Sequence, residues 1–321
     1  MTEAVTAPLD SRVEAFLADT CVFCQPWWLE AVSPGSWGVA VAWRGGEVAG
    51  VWPYGYKLRL GRYRLLEPPD LTFYLGPWLR TSAGRRARRL AEEKDLMTEL
   101  ADALPPFASL HQWFHPTVTN WMPLQWRGFS QTTRYTYRIP ETHDLGALWE
   151  ETDTNIRTDV RKARKELEVV EQPAAEQLLD LQTRTYERQG LRLPFSPASF
   201  RRLDAACLER GCRKLLTAVD VKARPHAAAY LVWDSRTVYA FLRARDPDMK
   251  SGASALVLWA AIEFASAQGR AFDFVGSWEE NIERFVRAFG GLQTPFFEVT
   301  KTNSSVVRHY RRLWSFAHGR R

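Results

Sequence analysis

Arginines spaced along one helical face, and a second arginine pair at the end of a strand, are the residues of this sequence best suited to gripping an anion. In 155–168, NIRTDVRKARKELE, a helical period places Ile156, Val160, Ala163 and Leu167 on one face and Arg157, Arg161, Arg164 and Lys165 on another. A guanidinium fork holds phosphate by two parallel hydrogen bonds, so Arg157, Arg161 and Lys165 are candidate phosphate ligands. The competing reading is a solvated face, since Asp159, Glu166 and Glu168 balance part of the charge. Further on, Arg243 and Arg245 close the strand FLRAR, and Ser251-Gly252-Ala253 opens the next helix. A strand, a turn and a helix N-terminus aim unpaired backbone amides at an anion. Small residues at 251–255 let a ligand approach the backbone, and an ordinary N-cap by Ser251 is the alternative.

Proton transfer needs a carboxylate or another base near these cations. The stretch FDFVGS at 272–277 sets Asp273 between apolar neighbours in a strand that breaks at Gly276. Asp273 is the candidate base and Glu279 the alternative, although a buried carboxylate also serves as the structural partner of an Arg or a backbone amide. Tyr186 and Arg188, in the polar helix end YERQG, are candidates for lining the acceptor site; cations set against the helix dipole explain the same cluster. The six His residues form no Ser/His/Asp or Cys/His set, and no nucleophile elbow is present. Direct aminolysis needs less, because an activated ester or thioester requires only a positioned amine and a route for its proton.

These side chains must be held by a fold large enough for two cores. A chain of 321 residues exceeds the usual ceiling for one hydrophobic core, which predicts two domains of roughly 150 residues each. The apolar run 253–265 contains Trp259 and Glu263 and falls short of the ~20 apolar residues a membrane span needs. The opening MTEAVTAPLD has acidic residues where a signal peptide carries positive charge, which predicts a cytoplasmic protein. A net charge of +6 suits a phosphate-bearing or nucleic-acid partner without requiring one. Cys21 and Cys24 have the spacing of a metal knuckle, but no His lies near them or near Cys207 and Cys212, so buried thiols are expected and no metal site.

In the N-terminal half, the runs 37–43 and 47–57 flank Arg44-Gly45-Gly46 and read as a hairpin. An aromatic strand over 71–79, a helix over 85–104 and strands at 109–114 and 130–139 follow. The segment 140–144, PETHD, breaks the pattern and predicts domains of 1–140 and 141–321. Beyond it the expected order is helices 145–167, 174–188 and 197–210, strands 213–220, 226–233 and 236–243, helix 252–268, strand 271–275, helix 279–289 and strand 295–301.

The series Asn155-Ile-Arg157, Arg161-Lys162-Ala163, Ser251-Gly252-Ala253, FDFVGS, 282–291 and PFFEVTK resembles the Fem-type branch of the GNAT superfamily. PWWLEAV, GVWPYG and LTFYLGPW are similar to the first domain of bacterial relatives, so the resemblance covers nearly the whole chain. It implies an α/β fold of two tandem GNAT-like domains, each a mixed central sheet flanked by helices, with an acceptor cleft between the halves. It implies an N-acyltransferase that forms an amide bond, with no tightly bound cofactor. Fem-like ligases take an aminoacyl group from aminoacyl-tRNA, ordinary GNAT enzymes use acyl-CoA, and the acceptor is a small-molecule or peptide amine. At the Q/R-x-x-G-x-G/A positions of ordinary GNATs this chain has Met249, Gly252 and Ser254, a departure that favours the Fem-like donor. The coiled-coil arm of some Fem proteins has no room here. Two other readings stay open: an acyl-CoA-dependent N-acetyltransferase, and a non-catalytic GNAT-like module that binds RNA or a partner.

Overall fold

A computed structural model of the chain describes residues 9–80, 84–141, 144–172, 174–246, 248–249, 252–276 and 279–309. The described residues divide into two compact units, one within 1–134 and 296–321 and one within 135–295.

The first unit begins with α1 (Ser11–Ala18), a 3-10 turn (Val22–Cys24) and α2 (Pro26–Val32), followed by β1 (Trp37–Arg44), β2 (Glu47–Arg59), β3 (Tyr63–Leu66) and β4 (Trp78–Leu79). Next come α3 (Arg86–Ala103), β5 (Ser109–Trp113), α4 (Met122–Trp126) and β6 (Ser130–Ile139), in which the chain passes to the second unit. The expected hairpin is present: β1 and β2 pair antiparallel, and Gly45 and Gly46 both take the positive φ (57° and 84°) that a tight two-residue turn demands. β3 pairs with β2 and, in parallel, with β5. The core is aromatic, with Trp52 donating to Gln112 at 2.6 Å and meeting Phe114 edge-to-face at 5.4 Å. The strand expected over 71–79 is reduced to β4, because Leu71 (φ 61°) and Gly76 (φ 107°) turn the chain. At Gly76 a Cβ would stand 2.4 Å from the Phe114 ring, so glycine is required there. The four cysteines are buried and not joined in disulfides, with Cys21 Sγ 3.5 Å from Cys24 Sγ.

The second unit adds α5 (Leu145–Glu151), α6 (Thr154–Ala163), β7 (Glu168–Glu171), α7 (Glu176–Arg188) and α8 (Pro197–Glu209), then β8 (Arg213–Val219), β9 (Pro225–Trp233) and β10 (Thr237–Arg245). α9 (Ala253–Ala267), β11 (Ala271–Asp273), α10 (Glu280–Arg287) and β12 (Leu292–Thr302) complete it, β12 returning to the first unit after Pro295 and pairing there with β5. The strands β7 to β10 form an antiparallel meander, β11 joins β10 in parallel, and β6 flanks β11 antiparallel. The helix expected over 145–167 is two helices followed by a turn at 164–166. Asp153 leaves the helical conformation, its carboxylate accepts from Asn155 N at 2.8 Å, and the chain restarts as α6. α9 is apolar all round and buried against β8, β9 and β10, which makes it the centre of this core.

Among the described residues no helix is long and apolar enough to cross a membrane.

Candidate active site

The chemistry-bearing residues of the second unit collect where β10 and β11 part. The two strands pair only over Thr237–Tyr239 and Ala271–Asp273; β10 then runs on to Arg245, while β11 ends and turns at Val275 (φ 58°) and Gly276 (φ 62°). In open α/β sheets ligands bind outside the carboxyl ends of such strands. α9, which connects them, begins at Gly252, whose φ is 93°.

α7 is stitched along the end of β10. Gln182 Nε2 donates to Arg243 O at 3.0 Å and Thr185 Oγ1 to Arg245 O at 3.2 Å. Arg184 pairs with Asp246 at 3.3 Å and Arg188 with Asp248 at 2.7 Å. These contacts put Tyr186 beside the strand end. Burial, and after it the negative charge of Glu279, raise the Tyr186 phenol above its usual range, so the two lie within electrostatic reach of each other.

Arg243 is the unusual member. Its Nη1 is buried with no hydrogen-bond partner, and among the described residues no carboxylate pairs with it. Burial brings its pKa from 12.5 down to about 10. Arg243 as a whole is part-buried, and a guanidinium nitrogen enclosed without a partner is destabilising. Arg245, two residues on, is exposed.

The structure thus brings Tyr186, Arg188, Arg243, Arg245 and Glu279 to one end of the sheet, with Arg188 already engaged by Asp248. Ser251 lies outside the described residues. Gly252 has a packing duty: a Cβ there would meet the Asp159 carbonyl oxygen of α6 at 2.9 Å. On α6, Arg157 is paired with Glu150 at 2.6 Å and Arg161 stacks over Trp149 at 5.5 Å, so two of the three expected phosphate ligands there already have neighbours within the unit. Lys165 is exposed just beyond the helix end.

Asp273, the expected base, is fully buried. Its Oδ1 accepts from Thr136 Oγ1 and from Val275 N, both at 2.7 Å, and Arg138 Nε lies 3.4 Å from Oδ2. Burial raises its pKa, while Arg138, Thr136 and the Val275 amide oppose that. A base must reach the amine it deprotonates, so this geometry gives Asp273 the task of fixing the Val275–Gly276 turn. Thr136 completes the lock by accepting from Gly276 N at 2.9 Å. Thr136, Arg138 and Gln182 escape a reading of the sequence, because nothing local distinguishes them from other polar strand and helix residues.

Residues 152–285 match the family model described as the acetyltransferase (GNAT) domain, so this region carries an acyltransferase domain. Over its length the chain has the GNAT-type fold of Fem proteins: it is similar to FemX, with a TM-score of 0.67, 14% identity, and 91% of this chain and 96% of that chain covered. It is also similar to L-PGS from Bacillus licheniformis (TM-score 0.56, 10% identity, 98% of both chains). The C-terminal domain of a putative lysylphosphatidylglycerol synthetase from Agrobacterium fabrum gives a TM-score of 0.56 at 9% identity, with 95% of both chains covered. No curated protein matches the sequence significantly.

Proposed function

We propose that the protein moves an aminoacyl group from aminoacyl-tRNA to an amine acceptor, a small molecule or a peptide, forming an amide bond. The observation that carries this reading is Arg243, a part-buried cation whose Nη1 is enclosed and which has no counter-ion among the described residues, at the parting of β10 and β11. It is suited to a phosphate of the donor's terminal nucleotide, with Arg245 beside it. The acceptor amine attacks the ester carbonyl, the amide C–N bond forms, and the ester C–O bond breaks to release the ribose hydroxyl. Glu279, within electrostatic reach of Tyr186, takes the proton lost by the amine and returns it to the leaving oxygen. Arg157, Arg161 and Lys165 extend the basic surface toward the RNA backbone, and the two units correspond to the two GNAT-like domains of a cytoplasmic enzyme. The likeness to FemX supports this donor, as does the replacement of the usual pyrophosphate-loop pattern by Met249, Gly252 and Ser254.

Purified protein mixed with charged tRNA and candidate amines should consume the aminoacyl ester faster than spontaneous hydrolysis. No consumption with either tRNA or CoA donors sinks the enzyme reading. The match of 152–285 to an acetyltransferase domain favours acyl-CoA as a second donor. Calorimetric binding of CoA, abolished by Arg243→Met, would move the assignment to that donor.

A further inference from the structure

We propose that the β2–β3 hairpin of the first unit docks the protein on an anionic lipid surface. The tip reads Lys57-Leu-Arg-Leu-Gly-Arg-Tyr63. Leu58 and Leu60 are 56% and 82% exposed, and they stand at the end of the hairpin rather than scattered over a face. Leu60 also holds a positive φ of 51°, a conformation that Gly, Asn or Asp takes with less strain. Folding therefore gives no reason for a leucine here: it buries little and strains its own backbone. Insertion among lipid acyl chains does give one.

The surrounding charge matches a lipid headgroup layer. Arg59, Arg62 and Arg64 have no carboxylate partner among the described residues, whereas Lys57 is paired with Asp70 at 3.2 Å. Arg62 lies over the Tyr63 ring at 4.9 Å and donates to its hydroxyl at 3.0 Å, and Arg64 sits over Tyr56 at 5.3 Å with its Nε buried and unbonded. Leu58 and Arg64 face each other across the two strands. Both help line an open cavity of about 470 Å³ with Arg62, Tyr63, Phe107 and Ser304, and none of the residues around it is acidic. One hairpin thus combines a protruding apolar tip with a cationic recess beside it, the pairing that suits acyl chains and phosphates of one bilayer. An RNA backbone would be served by the arginines and would leave both leucines unused.

The test is flotation of the full chain with vesicles of phosphatidylglycerol and phosphatidylcholine against vesicles of phosphatidylcholine alone. Binding is expected only to the anionic vesicles, falling steeply with salt. Leu60→Asn, which suits the positive φ and so preserves folding, should weaken it roughly tenfold, and Arg62→Ala about fivefold. Absence of binding to anionic vesicles overturns the proposal, as does a Leu60→Asn variant that melts normally and floats like the parent. A third arm titrates glycerol phosphate and a short RNA; if either binds as tightly as the vesicles and depends on Arg62 but not Leu60, the hairpin is a soluble-anion or RNA site and the membrane reading fails.

Discussion

Replacing Arg243 by Met separates the two things a buried cation can be. The side chain keeps a similar unbranched stem, so little packing is lost, while the charge and its desolvation penalty disappear. Lowering the guanidinium from 12.5 to about 10 corresponds to roughly 3 kcal/mol of unfavourable burial, taken as an upper bound at 1.36 kcal/mol per unit. Because the folded-state value lies below the unfolded one, the whole penalty is present below pH 10 and fades only as pH rises from there toward 12.5. At neutral pH, Arg243→Met should therefore stabilise the protein by about 1–3 kcal/mol, raising Tm by roughly 1.5–4.5 °C in a chain of this size. The same substitution should weaken donor binding by about a hundredfold, since a charge-assisted contact to phosphate is removed. Differential scanning calorimetry of the ligand-free protein, together with titration of the donor, reads both. A variant that melts lower than the parent would refute the reasoning, because it would mean that the guanidinium is satisfied within the fold.

Two further outcomes follow from the buried polar contacts. Asp273→Ala should cost about 3–5 kcal/mol in urea unfolding, since it strips the Val275–Gly276 turn of its acceptor and leaves Arg138 beside an empty position; Asp273→Asn keeps an Oδ1 acceptor and should cost less than half of that. Abolished turnover by Asp273→Asn at unchanged stability would restore it as the base. In the first unit, burial pushes Glu298 upward, but hydrogen bonds from Arg134 and His111, both 2.7 Å, outweigh this and leave its pKa lowered. Its contribution is present above the ordinary glutamate value near ~4.3 and is lost as pH falls through the lower folded-state value, so Glu298→Gln should flatten the acid limb of a Tm–pH curve. An acid limb identical to the parent's would remove Glu298 from the account.

Much of the second unit was legible because its signals are local. Short continuous apolar runs mark β8, β9 and β10, and the near-uniform apolarity of 253–267 marks a central helix. In the first unit, Gly45-Gly46 marks the hairpin for the same reason. Where a signal depended on one polar residue inside a periodic pattern, it was lost: Asp153 splits 145–167 without disturbing the apolar spacing, and α1 and α2 are short elements in an aromatic, proline-bearing segment. The site divides along the same line. Arg243, Tyr186 and Glu279 are conspicuous as residue types near element ends, but that Arg243 lacks a partner among the described residues while Arg157 and Arg188 have theirs is a property of packing. Asp273 shows the converse, since alternation with apolar residues reveals that it is inward-facing and cannot say whether a cleft or a hydrogen-bonded lock receives it.

That lock bears on the proton-transfer step through Glu279. A surface glutamate is a poor base unless it is held, because a mobile side chain spends most of its time away from the amine. Glu279 precedes α10, a helix of only eight residues that would fray in isolation. Both sides of it are nonetheless tied to β6: before it, Gly276 N donates to Thr136, and after it, the Tyr137 hydroxyl donates to Glu283 at 2.5 Å. The Glu279 carbonyl itself accepts from Glu283 N at 2.8 Å, so the second anchor reaches it through one helical turn. Thr136 and Tyr137 are consecutive and point to opposite faces of the strand, which lets one short stretch of β6 secure the turn on one side and the helix on the other. In the proposed reaction, the buried Asp273–Arg138–Thr136 group would contribute by position, fixing the segment that carries the proposed base, Glu279.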